Sequence, residues 1–167
     1  MDERDEPVGE PTLEIQTSLL TPINPRSLGA PRGYANGILA PPGGRLLFVA
    51  GQVAWGPDQE IVCGDFVGQF ARALDNVIEV VRGAGGRPND VASLTVYVTD
   101  RATYLASLSE LGEVWRHRMG RHYPAMALVE VAALVVDEAK VEIQGIAVLR
   151  ENTRVQAPLV SPTTSHD

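Results

Sequence analysis

Val91-Ala92-Ser93-Leu94-Thr95-Val96-Tyr97-Val98-Thr99 decides the fold. Leu94, Val96 and Val98 alternate with Ser93, Thr95, Tyr97 and Thr99, which is the two-residue period of a strand with two unlike faces. Helical patterns flank it. Upstream, Phe66, Val67, Phe70, Ala71, Leu74, Val77, Ile78 and Val81 recur at spacings of one, three and four. That spacing predicts a helix of about five turns with one apolar stripe. Asp65 near its start suits the helix dipole, and Gly83, Gly85 and Gly86 end it. Downstream, Tyr104, Leu105, Leu108, Leu111, Val114 and Trp115 mark a second amphipathic helix.

Further out, Gly37–Ala40, the turn Pro41–Gly44 and Arg45–Ala50 read as strand, turn, strand. Ala127–Leu134 and Lys140–Leu149 supply two last strands. The order β-β-α-β-α-β-β gives an α+β layer structure, a mixed sheet with two helices on one face. The strands carry apolar residues in both alternation sets: Ile146 and Val148 on one side, Val141, Ile143 and Ala147 on the other. Two helices cover only one face, so the other is expected to be buried by oligomerisation. Residues 1–25 read as a flexible or loosely docked arm, 26–150 as the globular domain and 151–167 as a polar tail.

Composition bounds the function. The 167 residues are 44% hydrophobic and 21% charged, as expected of one soluble domain. No run approaches the roughly 18 apolar residues that cross a bilayer, and the acidic N-terminus is no secretory signal. The cytoplasm is the default compartment, with no membrane partner. Cys63 is the single cysteine, which excludes an intramolecular disulfide and a cysteine metal cluster. Fourteen basic against 21 acidic residues, net −7, argue against a nucleic-acid partner. The one dense basic patch runs from Trp115 to His122. It reads as a solvated helix end, with an anion-binding role as the other reading. His117 and His122 are flanked by arginines and His166 lies in the tail, so no metal site is expected. Gly83-Ala84-Gly85-Gly86 follows a helix rather than opening one, so no phosphate loop and no cofactor are expected.

Several local motifs resemble the Rid (YjgF-like) family. Gly33-Tyr34-Ala35-Asn36-Gly37 resembles its first loop, and Ala50-Gly51-Gln52-Val53 its S-G-Q-I/V signature. Leu74-Asp75-Asn76-Val77 and Thr95–Asp100 resemble a helix and a strand motif. Tyr123-Pro124-Ala125, Val129–Leu134 and Val141-Glu142-Ile143 resemble its C-terminal signature. The likeness spans about residues 30–150. It implies a chorismate-mutase-like fold and a homotrimer with a central barrel, with small-molecule clefts at the subunit interfaces.

Three positions depart from the deaminase members. They carry P-A-R-S/T, whose arginine pairs bidentately with a substrate carboxylate. Here the run is Pro124-Ala125-Met126-Ala127, and Met126 cannot make that pair. Leu128 stands where a small residue or Cys is common, and Leu108 where some members have Asn. Tyr34, Gly51 and Glu142 persist. By the resemblance, Tyr34 contacts ligand, Gly51 allows close backbone approach, and Glu142 holds or activates water. A second reading stands beside each: Tyr34 as interface packing, Gly51 as a conformational glycine, Glu142 as an ion-pair partner, and Met126 and Leu128 as interface core. Arg116, Arg118, Arg121 and His122 are candidates for a replacement cation. The resemblance implies a hydrolase or deaminase of small enamine or imine metabolites other than 2-iminopropanoate. A non-catalytic metabolite-binding trimer is the alternative. Ribonuclease activity, known in some members, is disfavoured by the charge and the lack of a paired catalytic His.

Overall fold

The computed structural model describes residues 18–151. Its elements are β1 (Thr21–Ile23), β2 (Gly37–Leu39), β3 (Arg45–Gln52), α1 (Phe66–Gly83), β4 (Val91–Val98), α2 (Arg101–Ala106), α3 (Leu108–Met119), β5 (Ala125–Glu130) and β6 (Val141–Leu149). Four strands form one sheet in the order β3-β6-β4-β5. β4 and β5 run parallel, and β6 lies antiparallel between β3 and β4. This is the expected mixed α+β sheet, with the helices on one face.

α1 begins where Asp65 accepts a hydrogen bond from Gly68 N at 2.8 Å, capping the first turn. Its stripe, including Leu74, Val77 and Val81, packs with Val96, Val98, Val141 and Ile143 into one core. Asp100 caps α2 by accepting from Ala102 N and Thr103 N.

Three expectations need correction. β2 and β3 do not pair across the Pro41–Gly44 turn. β2 pairs instead with β1, in a separate two-stranded sheet. Pro41 and Pro42 offer no N–H to extend a ladder, and the inner partner of β3 is β6. The second helix is two helices broken at Ser107, whose Oγ donates to Thr103 O at 2.9 Å, a side-chain bond that competes with the helical pattern. The strand expected over Ala127–Leu134 spans Ala125–Glu130. Val131 N makes a final bond to Val98 O, after which β4 has turned away into α2. Residues 132–134 therefore have no neighbouring strand to pair with. The end of the N-terminal arm includes β1; the rest of the arm, 1–17, and the tail from 152 lie outside the described residues.

Candidate functional site

Helix α1 covers one face of the sheet, and the opposite face is open. Paired residues point to the same side, so the register defines three rows on that open face. Phe48, Ile146, Ser93 and Ala125 make the first row. Gln144, Thr95 and Ala127 make the second, and Glu142, Tyr97 and Val129 the third. Phe48 is 72% exposed, a large apolar side chain with no cover in a single copy.

Gly51 sits in the bulge that ends β3. Between Val49 and Gln52 that strand advances three residues while β6 advances two, from Gly145 to Ile143. The extra residue brings the backbone of Gly51 under the Glu142 side chain. A Cβ built on Gly51 would stand 3.1 Å from Glu142 Cγ and 2.7 Å from its Cδ, and would overlap the carboxylate. Only glycine leaves that volume free. No hydrogen bond or ion pair reaches the Glu142 carboxylate among the described residues.

Two buried amides on α1 hold this arrangement, and neither was singled out as a candidate in the sequence. Asn76 Nδ2 donates to Val53 O at 2.9 Å and Trp55 O at 3.1 Å, tethering the segment just beyond Gly51. Gln69 Nε2 donates to Cys63 O and Glu138 O, both at 2.9 Å. Its Oε1 accepts from Lys140 N at 2.8 Å, two residues before Glu142. Polar residues at buried positions of an apolar helix stripe are the sequence signal that would have found them.

The other candidates lie elsewhere. Met126 pairs with Leu94 and Leu128 with Val96, so both face the helices and pack against the core. Sequence alternation puts them on one face, and the structure shows that it is the face opposite Glu142. Tyr34 is 41% exposed in the loop where Ala35 bridges Ala125 and donates to Pro124 O at 2.9 Å. That places Tyr34 beside the start of β5, near Met126. Leu108, half exposed, opens α3 and lies outside the apolar core cluster. At a strand spacing of about 4.8 Å, β5 lies roughly 14 Å from β3 across the sheet. In one copy the candidates therefore fall into two groups, Gly51 with Glu142 at β3 and β6, and Tyr34 and Met126 at the start of β5.

Of the candidate replacement cations, Arg118 is engaged on the helix layer. Its Nε and Nη2 donate to the two oxygens of Asp75 at 2.7 and 2.8 Å, a bidentate pair joining α3 to α1. His122 Nε2 lies 2.7 Å from Val91 O, and its own carbonyl accepts from Trp115 Nε1. Arg116 and Arg121 are exposed at the end of α3 and just beyond it.

Residues 26–149 match the family model described as Endoribonuclease L-PSP, and the chain belongs to this family, the YjgF/Rid proteins. A crystal structure of a Rid-family protein of unknown function from Yersinia pestis is 32% identical, with a TM-score of 0.71 over 78% of this chain and 99% of that one. A RutC family protein of Pyrococcus horikoshii is 34% identical over 130 residues, 77% of this chain and 94% of that protein. The 2-iminobutanoate/2-iminopropanoate deaminase of Escherichia coli K12 is 34% identical over 107 residues, 64% of this chain and 82% of that enzyme. No helix among the described residues is long and apolar enough to cross a membrane.

Proposed function

We propose that the chain is a cytoplasmic, cofactor-independent Rid-family hydrolase that releases ammonia from small enamine or imine metabolites. Its sites are shared between adjacent copies of a homotrimer whose open sheet faces close a central barrel. The observation that carries this reading is the Glu142 carboxylate, poised over Gly51 with no donor from the described residues. Such a group is free to orient a water and take its proton as the oxygen attacks the C=N carbon. Returning that proton to nitrogen gives a carbinolamine, and transfer of its hydroxyl proton to the nitrogen, again through the carboxylate, breaks the C–N bond to give a carbonyl compound and ammonia. The relative named as an imine deaminase supports the reaction class.

The homotrimer is favoured by the separation of these two groups and by the exposed Phe48 row, and β3 and β5 are both edge strands that closure would protect. A second copy can bring Tyr34 and the β5 edge that carries Met126 and Leu128, together with Leu108 at the head of α3, toward Gly51 and Glu142. With Met126 in place of a guanidinium, the site is adapted to substrates that do not depend on a carboxylate anchor.

The test is ammonia release from enzymatically generated 2-iminobutanoate and from uncharged imines, for the wild type and Glu142→Gln. The wild type is expected to turn over uncharged imines and to be slow on 2-iminobutanoate compared with a deaminase carrying the arginine. Glu142→Gln should abolish the turnover. The absent cation also favours a second reading, a metabolite-binding trimer without turnover. Ligands that raise the thermal midpoint and return unchanged would support it over hydrolysis.

A further inference from the structure

Trp55 opens a short hairpin beside the flank of α1. Its backbone bridges Ile61, and Gln59 N donates to Gly56 O across the turn. Two α1 side chains hold the Trp55 carbonyl, Asn76 Nδ2 at 3.1 Å and Arg72 Nε at 3.0 Å. Between hairpin and helix lies a hollow of about 690 Å³, a size that suits a small molecule. Its walls include Gln52, Trp55, Arg72, Glu79 and Val80. Gln52 pairs in register with the buried Ile143, so the hollow is on the helix side of the sheet, opposite Glu142. Closure of the open faces into a barrel leaves it outside.

The lining holds one cation and one acid, Arg72 and Glu79. Arg72 is half-buried and spends its Nε on Trp55 O, and its two Nη groups meet no acceptor among the described residues. The free Nη1–Nη2 edge is a planar fork that matches a carboxylate. Glu79 follows two turns later on the same side of α1, about 10 Å along the axis, and no ion pair joins it to Arg72. Trp55 and Val80 add apolar wall to the same hollow.

We propose that this hollow binds an ω-amino acid, a zwitterion whose charges are held apart by an apolar chain. The carboxylate sits on the Arg72 fork, the ammonium at Glu79, and the methylenes lie against Trp55. A simple anion would be repelled by Glu79 and a simple cation by Arg72, whereas a dipolar ligand satisfies both. The charges of an α-amino acid are too close together to span the two side chains. The site is independent of Glu142 and of the hydrolase reading.

Isothermal titration of the full-length protein at matched ionic strength tests it, with 6-aminohexanoate, hexanoate, hexylammonium and glycine as probes. 6-Aminohexanoate should bind, and each of the other three should bind weaker by about tenfold or more, as expected for loss of a charged contact. Arg72→Ala and Glu79→Gln should each weaken 6-aminohexanoate by a similar factor, and Glu142→Gln should leave its Kd unchanged. Glu79 is exposed and makes no bond within the fold, so Glu79→Gln carries the test if Arg72→Ala, which also releases Trp55 O, fails to fold. The proposal is overturned by no binding of 6-aminohexanoate up to millimolar concentration, or by equal binding of glycine or of either singly charged analogue. An unchanged Kd in Glu79→Gln overturns it as well. So does a loss of binding in Glu142→Gln, which would put the ligand on the other side of the sheet.

Discussion

The side chain of Glu142 lies across Gly51, in the volume that any Cβ at position 51 would occupy. The contact joins two edge-to-centre neighbours, β3 and β6, at the bulge where their register slips. Gly51 is therefore required by close approach, and no positive φ is involved. Gly51→Ala should displace the carboxylate and lower ligand affinity or turnover about tenfold or more, while the far-ultraviolet spectrum stays native. Combining it with Glu142→Ala should remove most of the stability cost of the alanine, because the clashing atoms are gone. A double-mutant cycle in urea measures that coupling, and additive effects would refute the contact.

The buried amide of Asn76 serves two carbonyls at once. Asn76→Leu leaves Val53 O without its side-chain donor, while Trp55 O keeps the bond from Arg72 Nε at 3.0 Å. Unsatisfied buried acceptors cost about 1–3 kcal/mol. Urea denaturation should show a loss in that range, and a loss below 0.5 kcal/mol, roughly the level of ordinary surface substitutions, would argue that water replaces the amide.

Arg118 and Asp75 form a bidentate but partly solvated bridge, with side chains 25% and 36% exposed. Solvent screening limits such pairs to about 0–1 kcal/mol. A double-mutant cycle with Arg118→Ala and Asp75→Ala should give a coupling in that range. Turnover should be unaffected, because this guanidinium belongs to the helix layer. A large loss of activity in Arg118→Ala would mean that it does replace the missing cation.

Asp100 has its carboxyl held below the usual carboxylate range, first by the Thr103 hydroxyl and then by the backbone N–H groups of Thr103 and Ala102. A group with a depressed folded-state pKa favours folding above its unfolded value, and that contribution disappears as pH falls through the lower, folded value. The gap in thermal midpoint between wild type and Asp100→Ala should thus be full at neutral pH and shrink as the pH drops below 3.8. A gap that widened on acidification would contradict the capping geometry.

Met126 lies on β5, an edge strand, where a longer side chain can run its stem along the core and extend its head past the edge. Met126→Arg should lower the KM for 2-iminobutanoate by about tenfold or more, in keeping with the value of a charged anchor. Steady-state kinetics of ammonia release checks it. No change in KM would place the substrate away from this position.

Much of the architecture was legible from periodicity because side-chain direction is a local property. The stripe from Phe66 to Val81 became α1, and the alternation of Leu94, Val96 and Val98 became the buried face of β4. Local competition was harder to see. Ser107 breaks the second helix through a bond to Thr103 O that no apolar spacing reveals. Partner choice was not visible at all: β2 goes to β1, and β5 ends when β4 turns away.

The sequence by itself determined which residues share a strand face and that the sheet has two partly apolar sides. Each follows from side-chain chemistry and from the fixed periods of helix and strand. Tertiary structure alone decided that Glu142 lies over Gly51 beside Tyr97, and that Met126 and Leu128 face the helices on the other side of the sheet. Those relations depend on strand order and on a one-residue bulge. Both are set by hydrogen bonds between segments from 32 to 104 residues apart, whose pairing no local pattern encodes.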